Sequence, residues 1–597
     1  MDKKTIIGIV LIIIVTLLMP VYQKWIVGEK KPVPQEPVTL KDSTITAPEV
    51  AAPKTQNESN VEKPVEPLPE DTTTQKETPE LNIANAAEEK FIDIETELVH
   101  MRFSTLNGGN PVLWDLKKYT MHSGNPVNLI NQNSLKVSFL NANGKEINLN
   151  DYNVFTDIPN GKKVQLDQST PEYKLQYYLP VNNGRIIKTY HFYRDKYSFD
   201  VTLEFENLQN YIINRRVFVG WENGIPPTEE NIKDDLNYSR AYAFLADDIE
   251  NIDASDKYAE KEFNGKIDWV AVRSKYFLAS IIPLEETETN AAIIGGVRTK
   301  EEKKYNITIE AQYEPVANFK DNFKIYLGPL DYYILKKYDV GLQDLVMNKD
   351  WYERLFRPIS LLIIPAFKFL YRFIPNYGLV IIVFSILIKL LLHPLTKKSY
   401  QSMSEMQFLQ PKMTELREKY KNDPQRLNKE MMKLYKEHGV NPLGGCLPML
   451  LQMPVLFALF IVFRSTIQLR GKPFFLWIND LSAPDVLHLG VSLPLVGNSI
   501  HVLPILMGVT MIWQSKMSMT DPKQKMMIYF MPIFMIFIFY SLPSGLNLYY
   551  AVFNILSMIQ TSQIKKKMHP EGNTETEPAE SKPAIKQPVK RSRKKSK

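Results

Sequence analysis

Residues 379–392 read Leu-Val-Ile-Ile-Val-Phe-Ser-Ile-Leu-Ile-Lys-Leu-Leu-Leu, an apolar run holding one charge, Lys389, and closed by His-Pro-Leu-Thr before Lys397 and Lys398. Taken from 376 to 395 as a helix, the stretch approaches the roughly 30 Å hydrocarbon core of a bilayer. Lys389 then lies about one to two turns inside its end. A charge at that depth is costly and marks a pathway or a substrate site. The competing reading is a long side chain that snorkels to the nearby interface. The helix alone does not choose between them.

Over 597 residues, 44% hydrophobic and 23% charged side chains average to a soluble composition. The apolar residues are nevertheless segregated into a few runs, so the chain is part membrane and part water-soluble. Its single cysteine, Cys446, excludes an internal disulfide, a zinc cluster and a lipobox at an export site.

Asp2, Lys3 and Lys4 precede an apolar run over 5–19, and residues 22–26 lack the small-x-small pattern of a cleavage site. Residues 1–27 therefore read as an uncleaved transmembrane anchor, with Trp25 as an interfacial aromatic. Residues 28–87 are rich in Pro, Thr and Glu with almost no aromatics, which predicts a disordered linker. From 88 to 335 the pattern is β. Tyr197, Phe199, Val201, Leu203 and Phe205 alternate with polar neighbours, the period-two signature of a half-buried strand. Asn143-Gly144 and Asn183-Gly184 separate alternating runs and predict tight hairpins. Many strands without helical patterns predict an antiparallel sandwich. Its Asp200, Glu204, His191 and His122 show no spacing that forces chemistry and read as solvated strand faces.

Residues 336–375 connect to the membrane part. Leu355, Ile359, Leu362, Ile363 and Phe367 recur at helical spacing among Arg354, Arg357, Lys368 and Arg372, with Pro358 and Pro365 expected to break the helix. Such a basic, aromatic-rich segment is a candidate interfacial helix, with a further span as the competing reading. The span with Lys389 is expected to end at Pro394. A hydrophilic hairpin then runs over 397–445, with one helix from 404 to 420 and another from 423 to 438. Met403, Met406, Phe408 and Met413 give the first helix an adaptable face for variable apolar partners. The same face could be the seam of a hairpin packing on itself. A third span over 446–464 carries Gln452, which is either interhelical glue or a groove-lining amide. Further runs at 500–516, 526–542 and 545–564 complete six spans, the last two folded apart by the Pro-Ser-Gly turn at 543–545.

Charge orients the set. Residues 397–445 hold ten basic and six acidic side chains, the 515–525 loop is basic, and the tail over 566–597 ends in a Lys/Arg cluster. All lie on one face, which puts both termini in the cytoplasm and the β-domain outside.

His-Pro-Leu-Thr-Lys (393–397), Gln-Pro-Lys (410–412), Val-Asn-Pro-Leu-Gly-Gly-Cys-Leu-Pro (440–448), Gln-Met-Pro (452–454), Leu-Pro-Ile-Leu-Met-Gly-Val-Thr-Met (503–511) and Pro-Ser-Gly-Leu-Asn-Leu-Tyr-Tyr (543–550) together resemble the YidC/Oxa/Alb family of membrane protein insertases. Trp-Val-Ala-Val-Arg-Ser-Lys-Tyr-Phe (269–277) resembles the large periplasmic domain of that family's two-membrane bacterial form. The resemblance implies an inner-membrane α-helical bundle of six transmembrane helices, five of them an insertase core over 376–565, plus a periplasmic all-β supersandwich. It implies a hydrophilic groove with one positive charge at Lys389, where the family usually has Arg. Ser385, one turn earlier, faces the same side. The resemblance also places Gln452 and Tyr550 in the groove, and Tyr400 with His393 and Pro394 at its cytoplasmic entrance. The implied partners are nascent membrane proteins, a Sec translocon, membrane lipids and, through the basic tail, the ribosome. No enzyme activity, cofactor, metal or DNA partner is expected. Two rival readings are a secondary transporter, which would usually show two related halves, and a membrane-anchored carbohydrate-active protein built on the β-domain.

Overall fold

The computed structural model describes residues 81–568, apart from 132, 142, 213–214, 285–286, 348–350, 441–446, 494–496 and 519–524. The anchor at 1–27, the linker up to residue 80, Cys446, most of the basic 515–525 loop and the tail from 569 therefore lie outside the described residues. The chain divides into two compact units, one ending at Leu355 and the other starting at Phe356, with Ser465–Ile467 grouped with the first.

The first unit is the β-domain, built from sheets of eight, six and five strands. The eight-stranded sheet supplies the strands Glu172–Val181, Gly184–Tyr193, Ser198–Glu206 and Asn318–Pro329 as consecutive neighbours, all antiparallel. Alternation makes them one-sided. Phe199, Val201, Leu203 and Phe205 are sealed from solvent while Asp200, Thr202 and Glu204 are half-exposed. Inward aromatics lock the sheets: Phe103 of the five-stranded sheet packs on Tyr190 and Phe192 at ring separations of 4.8 and 5.2 Å. Phe139 of the six-stranded sheet meets Phe205 edge-on at 6.2 Å. Burying each such ring is worth roughly 1.5–3 kcal/mol, so these contacts carry the sandwich.

The hairpin predicted at Asn183-Gly184 is present but displaced by one position. Val181 pairs with Gly184 and the loop is Asn182-Asn183, with Asn182 supplying the positive φ of 50°. An Asn tolerates that conformation because its short amide bonds locally. Residues at the end of the predicted linker also join the domain: Ile83 bridges Val181 and the Ala86 N–H donates to the Asn153 carbonyl.

The sandwich body continues past residue 335. Asp331 caps the short helix α2 (Tyr332–Leu335), which follows the domain's other short helix, α1 (Ile232–Tyr238). Two 3-10 turns then carry the chain to Met347 over the outer face of the eight-stranded sheet. Trp269 Nε1 donates to the Val340 carbonyl at 2.7 Å, Arg273 Nη1 to the Leu345 carbonyl at 2.6 Å, and Tyr338 OH to Ser198 Oγ at 3.0 Å. The Trp-Val-Ala-Val-Arg motif thus fastens a strap across its own sheet. The rest of that face is polar, with His191–Glu172, Lys324–Asp200 and Lys320–Glu204 pairs tying adjacent strands.

The helical elements are α3 (Trp351–Phe373), α4 (Tyr377–Phe408), α5 (Gln410–Lys419), α6 (Pro424–Glu437), α7 (Leu447–Ser465), α8 (Val502–Ser518), α9 (Lys525–Phe539) and α10 (Ser544–Met568). Two proline expectations are corrected. Pro358 and Pro365 do not break α3, and α4 runs unbroken through Pro394 as far as Phe408. In α3 both proline rings are exposed while Ser360, Ile363, Ile364 and Phe367 are buried on one stripe. Packing of that stripe maintains a helix whose lost hydrogen bonds alone would interrupt it. Residues 397–408 accordingly extend the span helix, and the hairpin breaks at Leu409, just before Pro411. Among the described residues α4 is the one helix long and apolar enough to cross a membrane, with shorter apolar helices at Leu451–Ser465 and Ile528–Phe539.

Within the helical unit, Phe356 stacks on Phe457 at 5.1 Å, and Phe367 touches both Phe384 and Phe463, joining α3 to α4 and α7. The loop before α8 closes one end. Asp485 accepts the N–H groups of Val502 and Leu503 at 2.8 and 2.9 Å and the Trp477 indole at 3.0 Å. A carboxylate there satisfies orphan donors at the positive end of α8. The α9–α10 turn docks on the same loop, Ser544 N donating to the Ala483 carbonyl and Gly545 N to that of Leu481. A Cβ on Gly545 would lie 3.0 Å from that carbonyl oxygen and from the Phe463 ring. Any larger residue would push that carbonyl or ring aside.

Candidate functional site

The site grows from two helices with polar residues at a spacing of three and four. On α4 the buried polar positions are Ser385, Lys389, Thr396, Ser399, Tyr400 and Ser404; on α10 they are Asn547, Asn554, Ser557, Gln560 and Thr561. Such a stripe on an otherwise apolar helix must face another stripe or a wet cleft, because bare polar groups are expensive in hydrocarbon. Here the two stripes meet through Lys389 with Ser557 and His393 with Gln560, while Asn547 turns to the end of α9.

Lys389 is only 8% exposed, and its ammonium donates to Ser557 Oγ at 2.7 Å and to Tyr400 OH at 3.3 Å. Tyr400 follows Lys389 by eleven residues, about three turns, so both project from one side of α4. The ammonium also lies 4.5 Å from the centre of the Phe553 ring and 5.1 Å from that of Tyr400. Both hydrogen-bond partners are hydroxyls, not carboxylates, and Lys389 points inward. That geometry is the opposite of snorkelling.

Ser385, one turn before, is fully buried and donates to the Ile381 carbonyl at 2.7 Å. His393 has an exposed ring whose Nδ1 meets Gln560 Nε2 at 2.8 Å, and Pro394 beside it is exposed. Gln560 Oε1, Ser399 Oγ and Ser404 Oγ are buried without a partner among the described residues. On its other side α10 is held to α8 by Asn554 Nδ2, which donates to Thr510 Oγ1 at 3.3 Å.

Two expected residues stand apart from this contact. Tyr550 lies about two turns before Ser557 on the same face of α10, with its ring 5.7 Å from Phe539 of α9. Gln452, on α7, is half-buried and its amide nitrogen has no protein partner. In the hairpin, Met413 packs with Leu409, Leu434 and Val440, and Met406 lies against that cluster. Met403 packs on Tyr400 and Ile564. Phe408 is half-exposed at 50%, as is Met432 of α6 at 60%. Met413 and Met406 therefore form the seam of the hairpin, and Phe408 and Met432 are its outward apolar groups.

Sequence reasoning missed Phe553, Ser557 and Gln560. The signal was available as the three-residue spacing of Asn554, Ser557 and Gln560 in an apolar run, but only the pairing of Ser557 and Gln560 with α4 gives it meaning.

Residues 369–571 match the family model described as 60Kd inner membrane protein, and residues 91–359 match that of the YidC periplasmic domain. The membrane protein insertase YidC of Prosthecochloris aestuarii is 37% identical over 581 residues, covering 95% of each chain. That of Chloroherpeton thalassium is 35% identical over 610 residues, covering 100% of each. A solved structure of an active YidC insertase with its first transmembrane domain resolved aligns over 81% of this chain and 93% of its own, at 20% identity and a TM-score of 0.33. Identity of this order over the whole length of the curated relatives leaves one conclusion: this chain belongs to the YidC family of membrane protein insertases.

Proposed function

We propose that this insertase works through the polar seam between α4 and α10, with Lys389 as the charge that receives the client. The observation that supports it most is a lysine buried in a membrane-length helix and bonded, among the described residues, only to hydroxyls. A membrane protein entering the bilayer must carry its polar outer segment through hydrocarbon, where each bare polar group costs several kcal/mol. Hydroxyls, amides and one cation along the path replace part of that lost hydration. A client carboxylate can displace Ser557 or Tyr400 from the ammonium, because a charge-assisted bond outweighs a neutral one.

In this reading Ser385, Gln452 and Tyr550 line the path. His393, Pro394 and Tyr400 form its cytoplasmic entrance, and the hairpin presents Phe408 to the apolar segment of the client. The chain crosses the inner membrane six times, with both termini in the cytoplasm and the β-domain in the periplasm. It acts alone or beside a Sec translocon, and its basic tail approaches ribosomal RNA or anionic lipid by charge.

The test is insertion of a single-span client with an acidic outer tail into liposomes carrying the purified chain, read by protease protection. Lys389→Ala is expected to lose most of the protected product and Lys389→Arg to retain it. Equal protection by all three proteins would remove Lys389 from the path.

A further inference from the structure

The groove reading explains why a cation is present but not how an ammonium is kept there with no counter-ion among the described residues. A guanidinium would bring five donors in a rigid fork, whereas lysine brings a compact, strongly hydrated point charge. The surroundings of Lys389 answer that difference. Ser557 Oγ donates to the Phe553 carbonyl at 2.8 Å, so its hydroxyl proton is committed and its lone pairs are turned to the ammonium. Tyr400 offers its oxygen on another side. Two of the three ammonium N–H groups are thereby used. The Phe553 and Tyr400 rings, at 4.5 and 5.1 Å, bracket the same charge. The Phe553 ring is itself fixed, being 5% exposed and 5.9 Å from the Tyr549 ring.

We propose that Phe553 is a positioning residue for insertion: with the Tyr400 ring it forms an aromatic box that holds the Lys389 ammonium in place and leaves one N–H for an acidic client. The π face stands in for hydration that the apolar helix cannot give, and such a contact is strongest where water is excluded. A π face attracts the charge without competing for its last proton. Phe553 thus holds the ammonium without occupying the client's place, which a carboxylate at position 553 would do. The inference rests on the reading of Lys389 as the client-receiving charge.

The experiment compares two clients in liposomes, one with an acidic and one with an uncharged outer tail, for the full chain and for Phe553→Leu, Phe553→Met and Phe553→Trp. Leu and Met keep an apolar side chain and remove the π face, while Trp keeps the face. The expected result is a loss on the order of tenfold for the acidic client with Leu and Met, less than about twofold for the uncharged client, and recovery with Trp. Equal losses for both clients would make Phe553 a packing residue and overturn the proposal, as would unchanged insertion of the acidic client. Lys389→Ala is run beside them. If it affects neither client, the groove reading itself falls and takes the box with it. If it affects the acidic client while Phe553→Leu and Phe553→Met do not, only the box falls.

Discussion

Lys188 of the β-domain and Lys389 of the helical unit are exposed by only 2% and 8%, and neither donates to a carboxylate among its hydrogen bonds, yet their surroundings differ in kind. Lys188 Nζ donates to Asn110 Oδ1 at 2.9 Å. That amide is immobilised, because Asn110 Nδ2 is shared among the Asn107 carbonyl at 2.9 Å, the Leu135 carbonyl at 2.7 Å and Asn150 Oδ1 at 2.9 Å. Burial pushes the Lys188 amine down to about 7. Lys389 instead touches two separate hydroxyls, each a neutral acceptor that can be replaced on its own. A buried lysine clamped by a pinned amide is a fixed structural cost; one held by two separate hydroxyls can exchange either partner. The first belongs to a core; the second suits the proposed client path.

The sandwich adds a second cost on the same row. Strand register places Lys188 opposite Leu203 and Leu203 opposite Asp321, so an amine and an acid point into one core with a leucine between them. Asp321 is 2% exposed, its Oδ2 lacks a partner, and burial raises its carboxyl to about 7.

Asn110→Ala is the severest test of the contrast. It removes the pinned amide and strands Lys188, and should cost the sandwich about 3 kcal/mol or more in denaturant unfolding. A loss below about 1 kcal/mol would show that Lys188 does not depend on that clamp. Lys188→Met should instead stabilise the sandwich by roughly 2–4 kcal/mol at pH 7. A lysine lowered in the folded state is a deficit fully present below about pH 7 and fading as pH rises toward the unfolded value near 10.5. The gain should therefore shrink between pH 7 and 10, as followed by thermal melting of the detergent-solubilised chain.

Asp321→Asn should stabilise by about 2 kcal/mol at pH 7 and above, and by little near pH 4. An acid raised in the folded state costs stability as pH climbs from its unfolded value to its folded one. Wild-type stability should thus pass through a minimum near pH 7, which the double variant Lys188→Met/Asp321→Asn flattens; a profile with no dip would remove one or both groups from the account. The smallest stability effect belongs to Ser557→Ala, expected to change the melting temperature of the helical unit by less than about 1 kcal/mol in equivalent stability, while insertion of an acidic client falls several-fold. A large stability loss would make Ser557 a clamp like Asn110 and erase the distinction between the two lysines.

The chain declares its local physics well. Alternation over 197–206 gives the strand and its buried side, and the apolar run around Lys389 gives α4. It is less informative where distant segments decide. Alternation places Lys188 on the row of Ile186, Tyr190 and Phe192, but the Asn110 that accepts its ammonium lies 78 residues away. Pro394 is a local stop signal overridden by the packing of α4, and Pro358 and Pro365 are overridden in the same way on α3. The methionines of the hairpin were compatible with a client face or a seam, and the position of α6 assigns Met413 and Met406 to the seam. The cost of a charge in an apolar run singles out Lys389 without choosing between a path and snorkelling, whereas Ser557 and Phe553 gain meaning only from a helix more than 150 positions earlier in the chain.

The strap from Tyr332 to Met347 sets an order in time. It is made after every strand of the sandwich, including Asn318–Pro329, and it covers the sheet through Trp269 and Arg273. During synthesis the sheet face stays open until residue 347 has followed the strands across the membrane, and only then is it sealed. The periplasmic domain therefore seals this sheet only as the chain begins α3, so that completion of one half is clocked by emergence of the other.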